Sequence, residues 1–324
     1  MKRRMFSLAA TALYLTVGGA YAQTKWDLPS AYQPTDFHVE NLNLFAQDVD
    51  KATGGKLKIT VHINGSLFKG PEIKRAVQGN QAQIGEILLP NYQNEWQLFG
   101  VDGLPFLATS YDAAWKLYQA QKPFLEKKLA EQGLTLLYTV PWPPQGLYSK
   151  KPVAKVEDLK GSKWRAYSPA TARIAELVGA QPVTVQSAEL SQAMATGVVE
   201  SFMTSGATGY ATKTYEYIKY FYDTQAWLPK NAIIVNKKAF AELGKDEQAA
   251  VLKAAASAES RGWAMSKQKT QDYTDLLKKN GMDILPPSAE LKAGFTKVGD
   301  TMLKEWIEKA GPDGKALIDA YRKP

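Results

Sequence analysis

The stretch KWRAYSPATARIAELVGAQPVTVQSAELSQAMATGVVESFMT, residues 163–204, decides the fold class. Short runs rich in β-branched and aromatic residues alternate there with longer runs whose apolar residues recur at helical spacing, and glycine or proline separates them. The pattern predicts strands at 163–167, 182–185 and 198–204 and helices at 169–178 and 187–196. Such alternation is typical of an α/β protein with mainly parallel sheets.

The same alternation continues outward from this stretch. Upstream, helical spacing predicts a helix at 38–53 that Gly54-Gly55 ends, and residues 57–63 alternate apolar and polar side chains as a half-buried strand does. From Asp246 to Asn280 the pattern is helical for about 35 residues, longer than most globular helices. The remaining predicted elements are a helix at 72–78, two helices within 110–132, and strands at 82–88, 134–140 and 231–236.

The N-terminal segment predicts export. Three basic residues at positions 2–4 precede a largely apolar run from Met5 to Gly19, and Ala20-Tyr21-Ala22 gives the small-x-small pattern of a cleavage site. The apolar run is shorter than the roughly 20 residues that span a bilayer as a helix. We therefore expect residues 1–22 to be a cleaved signal peptide and the protein to be periplasmic, with an uncleaved anchor as the alternative.

Charge and cysteine content exclude several classes of protein. The formal net charge is +8, and loss of the three basic residues of the signal leaves +5. The excess is scattered, without the basic stripe interleaved with aromatic residues that is typical of nucleic-acid binders, so no nucleic-acid partner is expected. Cysteine is absent, which rules out disulfides, thiolate metal sites and cysteine nucleophiles.

Motifs for catalysis are also missing from the sequence. His38 and His62 are the only histidines, and their 24-residue separation is not a metal-ligand spacing. No G-x-S-x-G elbow, Walker A or G-x-G-x-x-G loop occurs. Ser205–Gly209 is glycine-rich but fits neither phosphate-binding pattern, so we interpret it as a strand-to-helix turn. We expect no enzyme activity, no cofactor and no metal site.

Aromatic residues near loops and strand ends predict a ligand cleft instead. Stacking surfaces of this kind suit a small planar or apolar solute. For each such residue taken alone, core packing is the alternative. The aromatic residues in question are Tyr32, Trp142, Tyr148, Trp164, Tyr167 and Trp227. Two proline-containing segments, Pro141–Pro144 and Trp227–Pro229, have the composition of joints between two lobes.

Six short segments keep a recognisable order along the chain. EDLKGSKWR at 157–165 is followed by GAQPV at 179–183 and ATGVVE at 195–200, and the remaining three are GE at 85–86, LPFL at 104–107 and VNKKAF at 235–240. Together they resemble the periplasmic solute-binding proteins of TRAP transporters, of the DctP type. The resemblance extends over essentially the whole chain after residue 22.

The resemblance implies a two-lobed α/β periplasmic binding protein of the Venus-flytrap kind, with an interlobe cleft, crossing strands and one long helix that spans both lobes. We predict lobe I at 23–142 plus 230–270 and lobe II at 143–229 plus 271–324. Members of the family capture organic acids by hinge closure and deliver them to the membrane permease subunits of an ion-driven TRAP transporter. We expect a monomer.

Arg165 falls on the arginine of the family's motif. A guanidinium is a rigid two-pronged donor that matches a carboxylate, so the resemblance assigns Arg165 the role of carboxylate anchor. A surface ion pair with Asp158 or Glu157 is the alternative. Further candidates for ligand contact are Trp142, Trp227, Thr204, Gln145, Tyr32, Glu86, Gln186 and Asn231.

Two departures from the family pattern bear on the ligand. Gln145 stands where many members that bind diacids or sialic acid have a second arginine, and Thr204 replaces an asparagine. With one charged clamp missing, we predict a monocarboxylate, with an aromatic or hydrophobic acid favoured. For Glu86, the alternative interpretation is a solvated acid at the end of a strand. For the whole protein, the alternatives are a binding protein of an ABC or tripartite tricarboxylate importer, or a periplasmic enzyme on a similar scaffold.

Overall fold

The structure, a computed structural model, describes residues 23–323, so the predicted signal peptide lies outside the described residues. The strands are β1 (Thr24–Pro29), β2 (Leu57–His62), β3 (Ile84–Leu88), β4 (Leu134–Pro141), β5 (Gln145–Ser149), β6 (Lys163–Ala166), β7 (Gln181–Thr184), β8 (Ser201–Ser205), β9 (Tyr220–Tyr222), β10 (Lys230–Asn236) and β11 (Asp283–Leu285). The helices are α1 (Phe37–Ala52), α2 (Ile73–Gln78), α3 (Tyr111–Glu131), α4 (Pro169–Leu177), α5 (Leu190–Ala195), α6 (Gly206–Ala211), α7 (Lys237–Glu242), α8 (Lys245–Lys279) and α9 (Ala289–Arg322), which is kinked at Gly311.

The strands of residues 23–323 form three sheets in two lobes. One lobe contains the parallel pair β1-β2 and a three-stranded sheet of order β3-β10-β4. The other contains a six-stranded sheet of order β11-β9-β5-β8-β6-β7. The α/β fold class and the two-lobed architecture are therefore confirmed, while the exact boundaries of the two lobes stay a prediction.

The prediction of mainly parallel sheets is wrong for part of the molecule. β10 runs antiparallel to both β3 and β4, and β5 runs antiparallel to both β8 and β9. The cause is the connection between the lobes: β10 joins the three-stranded sheet as the chain returns from the other lobe, so it enters in the reverse direction. The β/α alternation of 163–204 does produce parallel pairs, of β6 with β7 and with β8.

Both predicted joints lie where the chain crosses between the lobes. The segments 142–145 and 226–229 run side by side and are joined by backbone hydrogen bonds, with Trp142 N donating to Pro229 O at 2.8 Å and Gln145 N donating to Trp227 O at 2.9 Å. Their prolines have no N–H to donate, which limits further pairing at the crossing. This pair of segments connects β4 to β5 and leads back into β10.

The long helix α8 links the two lobes, as predicted. It packs against α1 and β4 of one lobe and contacts α6 and β11 of the other. Gly262 allows the close approach at the centre, because a Cβ there would lie 2.5 Å from Val140 Cγ2 and 2.8 Å from Asn41 Nδ2. None of the helices in the described chain has an apolar run long enough to cross a membrane.

Residues 110–132 form one helix, not the two that we predicted. α3 runs from Tyr111 to Glu131 with Pro123 inside it, although proline removes one hydrogen bond and usually kinks or ends a helix. The helix continues because residues on both sides of Pro123 bury the same stripe, including Leu117, Leu125 and Leu129. Burial of that stripe outweighs the missing hydrogen bond.

Candidate ligand-binding site

A pocket lies between the two lobes, beside the crossing segments. It contains about 560 Å³ of space free of protein atoms, some of it open to solvent. Strand ends and loops of both lobes supply its walls. The lining residues are Ala31, Tyr32, Gly70, Glu86, Leu88, Asn91, Trp142, Gln145, Arg165, Tyr167, Gln186, Ser187, Thr204, Thr208 and Pro229.

Arg165 on β6 brings a buried positive charge to the wall formed by the six-stranded sheet. The residue is 3% exposed, and its Nε donates a hydrogen bond to Val185 O at 3.0 Å. The guanidinium carbon Cζ lies over the Tyr167 ring, 5.0 Å from the ring centroid. Nη1 is buried with no hydrogen-bond partner in the described chain, and burial lowers the pKa of Arg165 to about 10. A desolvated guanidinium with an unused N–H group favours an anion in the pocket.

The alternative of a surface ion pair for Arg165 is excluded by this geometry. The Asp158 carboxylate instead accepts hydrogen bonds from the backbone N–H groups of Ala154 and Lys155 at 2.8 and 3.0 Å. Those contacts hold the pKa of Asp158 below its usual value.

Glu86 on β3 brings a buried carboxylate to the wall formed by the other lobe. It is 2% exposed, so it is not the solvated acid at a strand end that was the alternative. Oε2 accepts a hydrogen bond from Ser30 Oγ at 2.6 Å, and Oε1 accepts one from Asn231 Nδ2 at 2.8 Å. His38 Nδ1 lies 3.3 Å from the same Oε1. Asn231 and Glu86 meet because their side chains share a face of the β3-β10 pair.

Asn231 also fixes two aromatic side chains of the pocket. Its Oδ1 accepts hydrogen bonds from Trp142 Nε1 at 2.9 Å and from the Tyr32 hydroxyl at 3.2 Å. The Tyr32 and Trp142 rings meet edge to face, with centroids 4.8 Å apart. Burial, together with the nearby Glu86, raises the pKa of Tyr32 well above its usual value, so its hydroxyl stays protonated as a donor.

Gln145 is buried beside Arg165, and its amide is already in use. Its Oε1 accepts from the Tyr167 hydroxyl at 3.2 Å, and its Nε2 donates to Pro143 O at 2.9 Å. Thr204 lies on β8, directly opposite Gly146 on β5. This part of the wall is therefore uncharged apart from Arg165.

The outer end of the pocket lies between the loop near Gly70 and the turn at Gln186. Ala31, Gly70 and Gln186 line both the pocket and a neighbouring groove outside it. Across this boundary Gln33 Nε2 donates to Ser187 O at 3.3 Å. The lobes thus touch at the rim.

Most of the predicted site residues come together in this pocket. Asn231 lies immediately behind the wall of the pocket. The seven candidates that line the pocket are Arg165, Trp142, Thr204, Gln145, Tyr32, Glu86 and Gln186. Trp227 does not line it; it is 1% exposed within a hydrophobic core. Of the other aromatic candidates, Tyr167 lines the pocket, whereas Tyr148 and Trp164 are fully buried in cores.

Sequence reasoning missed the support around Glu86. Ser30 and His38 lie 56 and 48 positions away from it along the chain, and neither belongs to a motif. His38 is 1% exposed and its ring lies 4.2 Å from that of Trp142, so it is part of the wall's packing. Residues 23–323 contain no group of three or more side chains suited to hold a metal ion.

Comparison with known proteins finds solute-binding proteins of similar sequence and fold. DctP6 of Bordetella pertussis, an extracytoplasmic solute receptor binding pyroglutamic acid, is 66% identical; the match covers 93% of this chain and all of that one, with a TM-score of 0.92. A TRAP solute-binding protein specific for pyroglutamate, from an unidentified marine microbe, is 45% identical over 94% of this chain and all of its own, again with a TM-score of 0.92.

A more distant relative is the C4-dicarboxylate-binding periplasmic protein DctP of Rhodobacter capsulatus, 25% identical over 85% of this chain and 84% of its own length. The family model described as bacterial extracellular solute-binding protein, family 7 (DctP) matches residues 30–310. The chain therefore belongs to this DctP family of TRAP-transporter solute-binding proteins.

Proposed function

We propose that this protein captures pyroglutamate, or a closely similar small cyclic monocarboxylate, and delivers it to a TRAP-type permease. The observation that carries the proposal is Arg165, whose buried guanidinium has an unpartnered N–H group in a pocket between the lobes. A carboxylate would supply the missing acceptor and the compensating charge.

Two relatives support pyroglutamate in particular. The receptors at 66% and 45% identity both bind it, and both cover nearly the whole chain. Pyroglutamate carries one carboxylate on a small ring with an amide N–H and C=O, and this pocket offers one cation beside several polar groups. The ring of pyroglutamate is not aromatic. This proposal therefore replaces the preference for an aromatic or hydrophobic acid that the sequence suggested. Such acids become comparison ligands.

The pocket's charge argues against diacids. Arg165 is the single basic residue among the lining residues of the described chain, and Gln145 occupies the position of a second arginine. A second carboxylate would enter without a cationic partner, which is costly in a site that excludes water.

Delivery is proposed to follow hinge closure. Ligand shifts the lobes toward the closed arrangement only by its preferential affinity for that state, and Arg165 supplies such an affinity when closure removes water from the ion pair. The closed lobes then present a joint surface to the permease subunits. In this proposal the protein is a periplasmic, monomeric receptor without catalytic activity, and it serves a TRAP transporter rather than an ABC or tripartite tricarboxylate importer.

Calorimetry and thermal-shift measurements on residues 23–324 test the proposal. We expect L-pyroglutamate to bind and raise the melting temperature, with little effect from succinate or benzoate. Arg165→Ala should lose about 2–5 kcal/mol of binding free energy because the carboxylate would be buried without its partner. Arg75→Ala, which removes an exposed arginine on α2, is the matched control and should bind as the wild type does.

Three results would contradict the proposal. Tight binding of succinate without pyroglutamate would reverse the substrate class. Strong binding of benzoate alone would restore the preference for aromatic acids. Unchanged pyroglutamate binding in Arg165→Ala would remove the anchor.

A further inference from the structure

We propose that Glu86 determines the specificity of the pocket: its fixed carboxylate accepts the ring N–H of the ligand and excludes a second carboxylate. The inference rests on the proposed function, in which Arg165 holds the ligand's own carboxylate. It adds a reason why the site takes a lactam acid rather than an open-chain diacid of similar size.

The position of the Glu86 carboxylate is fixed by donors. Ser30 Oγ donates to Oε2, Asn231 Nδ2 donates to Oε1, and His38 Nδ1 lies 3.3 Å from Oε1. Asn231 is in turn held by Trp142 and Tyr32. The carboxylate is thus part of a preorganised network and cannot turn away from a ligand without breaking these hydrogen bonds.

The Glu86 carboxylate has accepting capacity left for a ligand. An ionised carboxylate accepts hydrogen bonds and donates none. It offers about four lone-pair sites, and the three neighbours within the described chain use at most three of them. Since Glu86 lines the pocket, the remaining capacity is available to a ligand donor.

Pyroglutamate has one donor at neutral pH, its ring N–H. With the ligand's carboxylate on Arg165 in the wall of the six-stranded sheet, Glu86 in the facing lobe can accept that N–H. It is the one acidic residue among the lining residues of the described chain. A site built to hydrogen-bond an N–H discriminates strongly against an analogue that lacks it, because the buried acceptor is then left unpaired.

A second carboxylate on the ligand would be repelled by Glu86. Like charges brought together in a water-excluded pocket repel strongly, and no second cation lines this pocket within the described residues. The negative charge that lets Glu86 accept an N–H therefore also repels glutarate, the open-chain diacid with the same five-carbon length.

The test compares three ligands on the wild type and on Glu86→Gln by calorimetry. The ligands are L-pyroglutamate, its lactone analogue 5-oxotetrahydrofuran-2-carboxylate, in which oxygen replaces the N–H, and glutarate. We expect the wild type to bind the lactone at least tenfold more weakly than pyroglutamate and to bind glutarate weakest. Glu86→Gln should bring the affinities for pyroglutamate and glutarate at least tenfold closer together. Glu189→Gln, an exposed acid of the outer groove, is the control and should keep the wild-type ratios.

The outcomes separate this inference from the proposed function. Wild-type binding of pyroglutamate together with an unchanged pyroglutamate-to-glutarate ratio in Glu86→Gln overturns the role of Glu86 alone. Failure of the wild type to bind pyroglutamate overturns the proposed function and the inference that rests on it.

A second variant covers misfolding of Glu86→Gln, which thermal unfolding would reveal. Glu86→Asp keeps the charge but withdraws the acceptor by one methylene. It should still reject glutarate while the preference for pyroglutamate over the lactone falls. Tight glutarate binding by Glu86→Asp, or an undiminished preference over the lactone, would overturn the inference.

Discussion

Two of the buried cations in this protein have different surroundings. Lys230, at the start of β10, is fully buried with its Nζ 2.9 Å from Asp102 Oδ2, and its backbone N–H donates to the same oxygen at 2.9 Å. Arg165, on the pocket wall, is nearly as buried, but no acidic side chain of the described chain pairs with it, and its Nη1 has no partner. Nζ of Lys230 likewise makes no hydrogen bond of good geometry, so the two cations differ in the ion pair: the first has a carboxylate beside it within the fold and the second does not.

The difference separates a structural charge from a binding charge. Burying a charge costs less when an opposite charge lies beside it. Lys230 has such a partner permanently in Asp102, whereas Arg165 obtains one only when an anion enters. Burial consequently lowers the pKa of Arg165, and it raises the pKa of Asp102 although Lys230 acts in the opposite direction.

The largest expected change in the free energy of unfolding comes from breaking the ion pair between Asp102 and Lys230. Asp102→Ala leaves Lys230 buried without a carboxylate, and we expect the free energy of unfolding to fall by about 3–5 kcal/mol. Urea unfolding of the ligand-free protein measures it. As a control, Glu131→Ala removes a surface partner of Lys128 and should change the free energy of unfolding by less than about 1 kcal/mol. A change as small in Asp102→Ala would mean that Lys230 does not depend on its partner.

An intermediate effect is expected at another buried ionisable group, Asp36, whose side chain caps α1 by accepting from His38 N at 3.0 Å. Burial raises its pKa from 3.8 to about 6, against the opposing influence of His38. A carboxyl whose pKa is higher in the folded than in the unfolded state stabilises the fold when protonated. That contribution is present below about pH 4 and is lost as the pH rises through about 6.

Asp36→Asn removes this titration and keeps an oxygen for the cap. The wild-type free energy of unfolding, relative to that of the variant, should therefore fall by about 2–3 kcal/mol between pH 4 and pH 7. Urea unfolding at a series of pH values measures the difference. Asp112→Asn, in the exposed first turn of α3, is the control. A relative stability that is flat or rises with pH would contradict the raised pKa of Asp36.

The sequence predicted the parts of the site that local pattern or motif can specify. The β/α alternation of 163–204 placed Arg165 on a strand, the family motif assigned its role, and the two proline-containing joints were recognised from composition. These features depend on residues close together in the chain, where periodicity and turn chemistry act.

Long-range contacts could not be predicted in this way. Asn231 meets Tyr32 across 199 positions and Glu86 across 145, and only the folded sheet brings them together. Trp227 illustrates the converse: its position at a joint suggested a ligand contact, but the chain direction there turns the side chain into the core. β9 and β11 are three residues each, too short for a periodic signal, and they form through pairing with neighbours.

The smallest expected change in stability is the sharpest test of the comparison between the two cations. Arg165→Met keeps much of the side-chain volume, loses the hydrogen bond to Val185 O, and removes a buried charge that has no partner in the ligand-free fold. Loss of the hydrogen bond costs about 1 kcal/mol and removal of the charge offsets it, so the free energy of unfolding without ligand should stay within about 1 kcal/mol of the wild type. The stabilisation by L-pyroglutamate, which for a binding-competent protein is about 2.7 kcal/mol at a ligand concentration of about 100 Kd, should disappear in the same variant. If urea unfolding instead showed that the variant loses about 3 kcal/mol or more of its free energy of unfolding without ligand, Arg165 would be a structural charge like Lys230. Removing a charge lowers the stability of the ligand-free protein only when the fold itself supplies its partner.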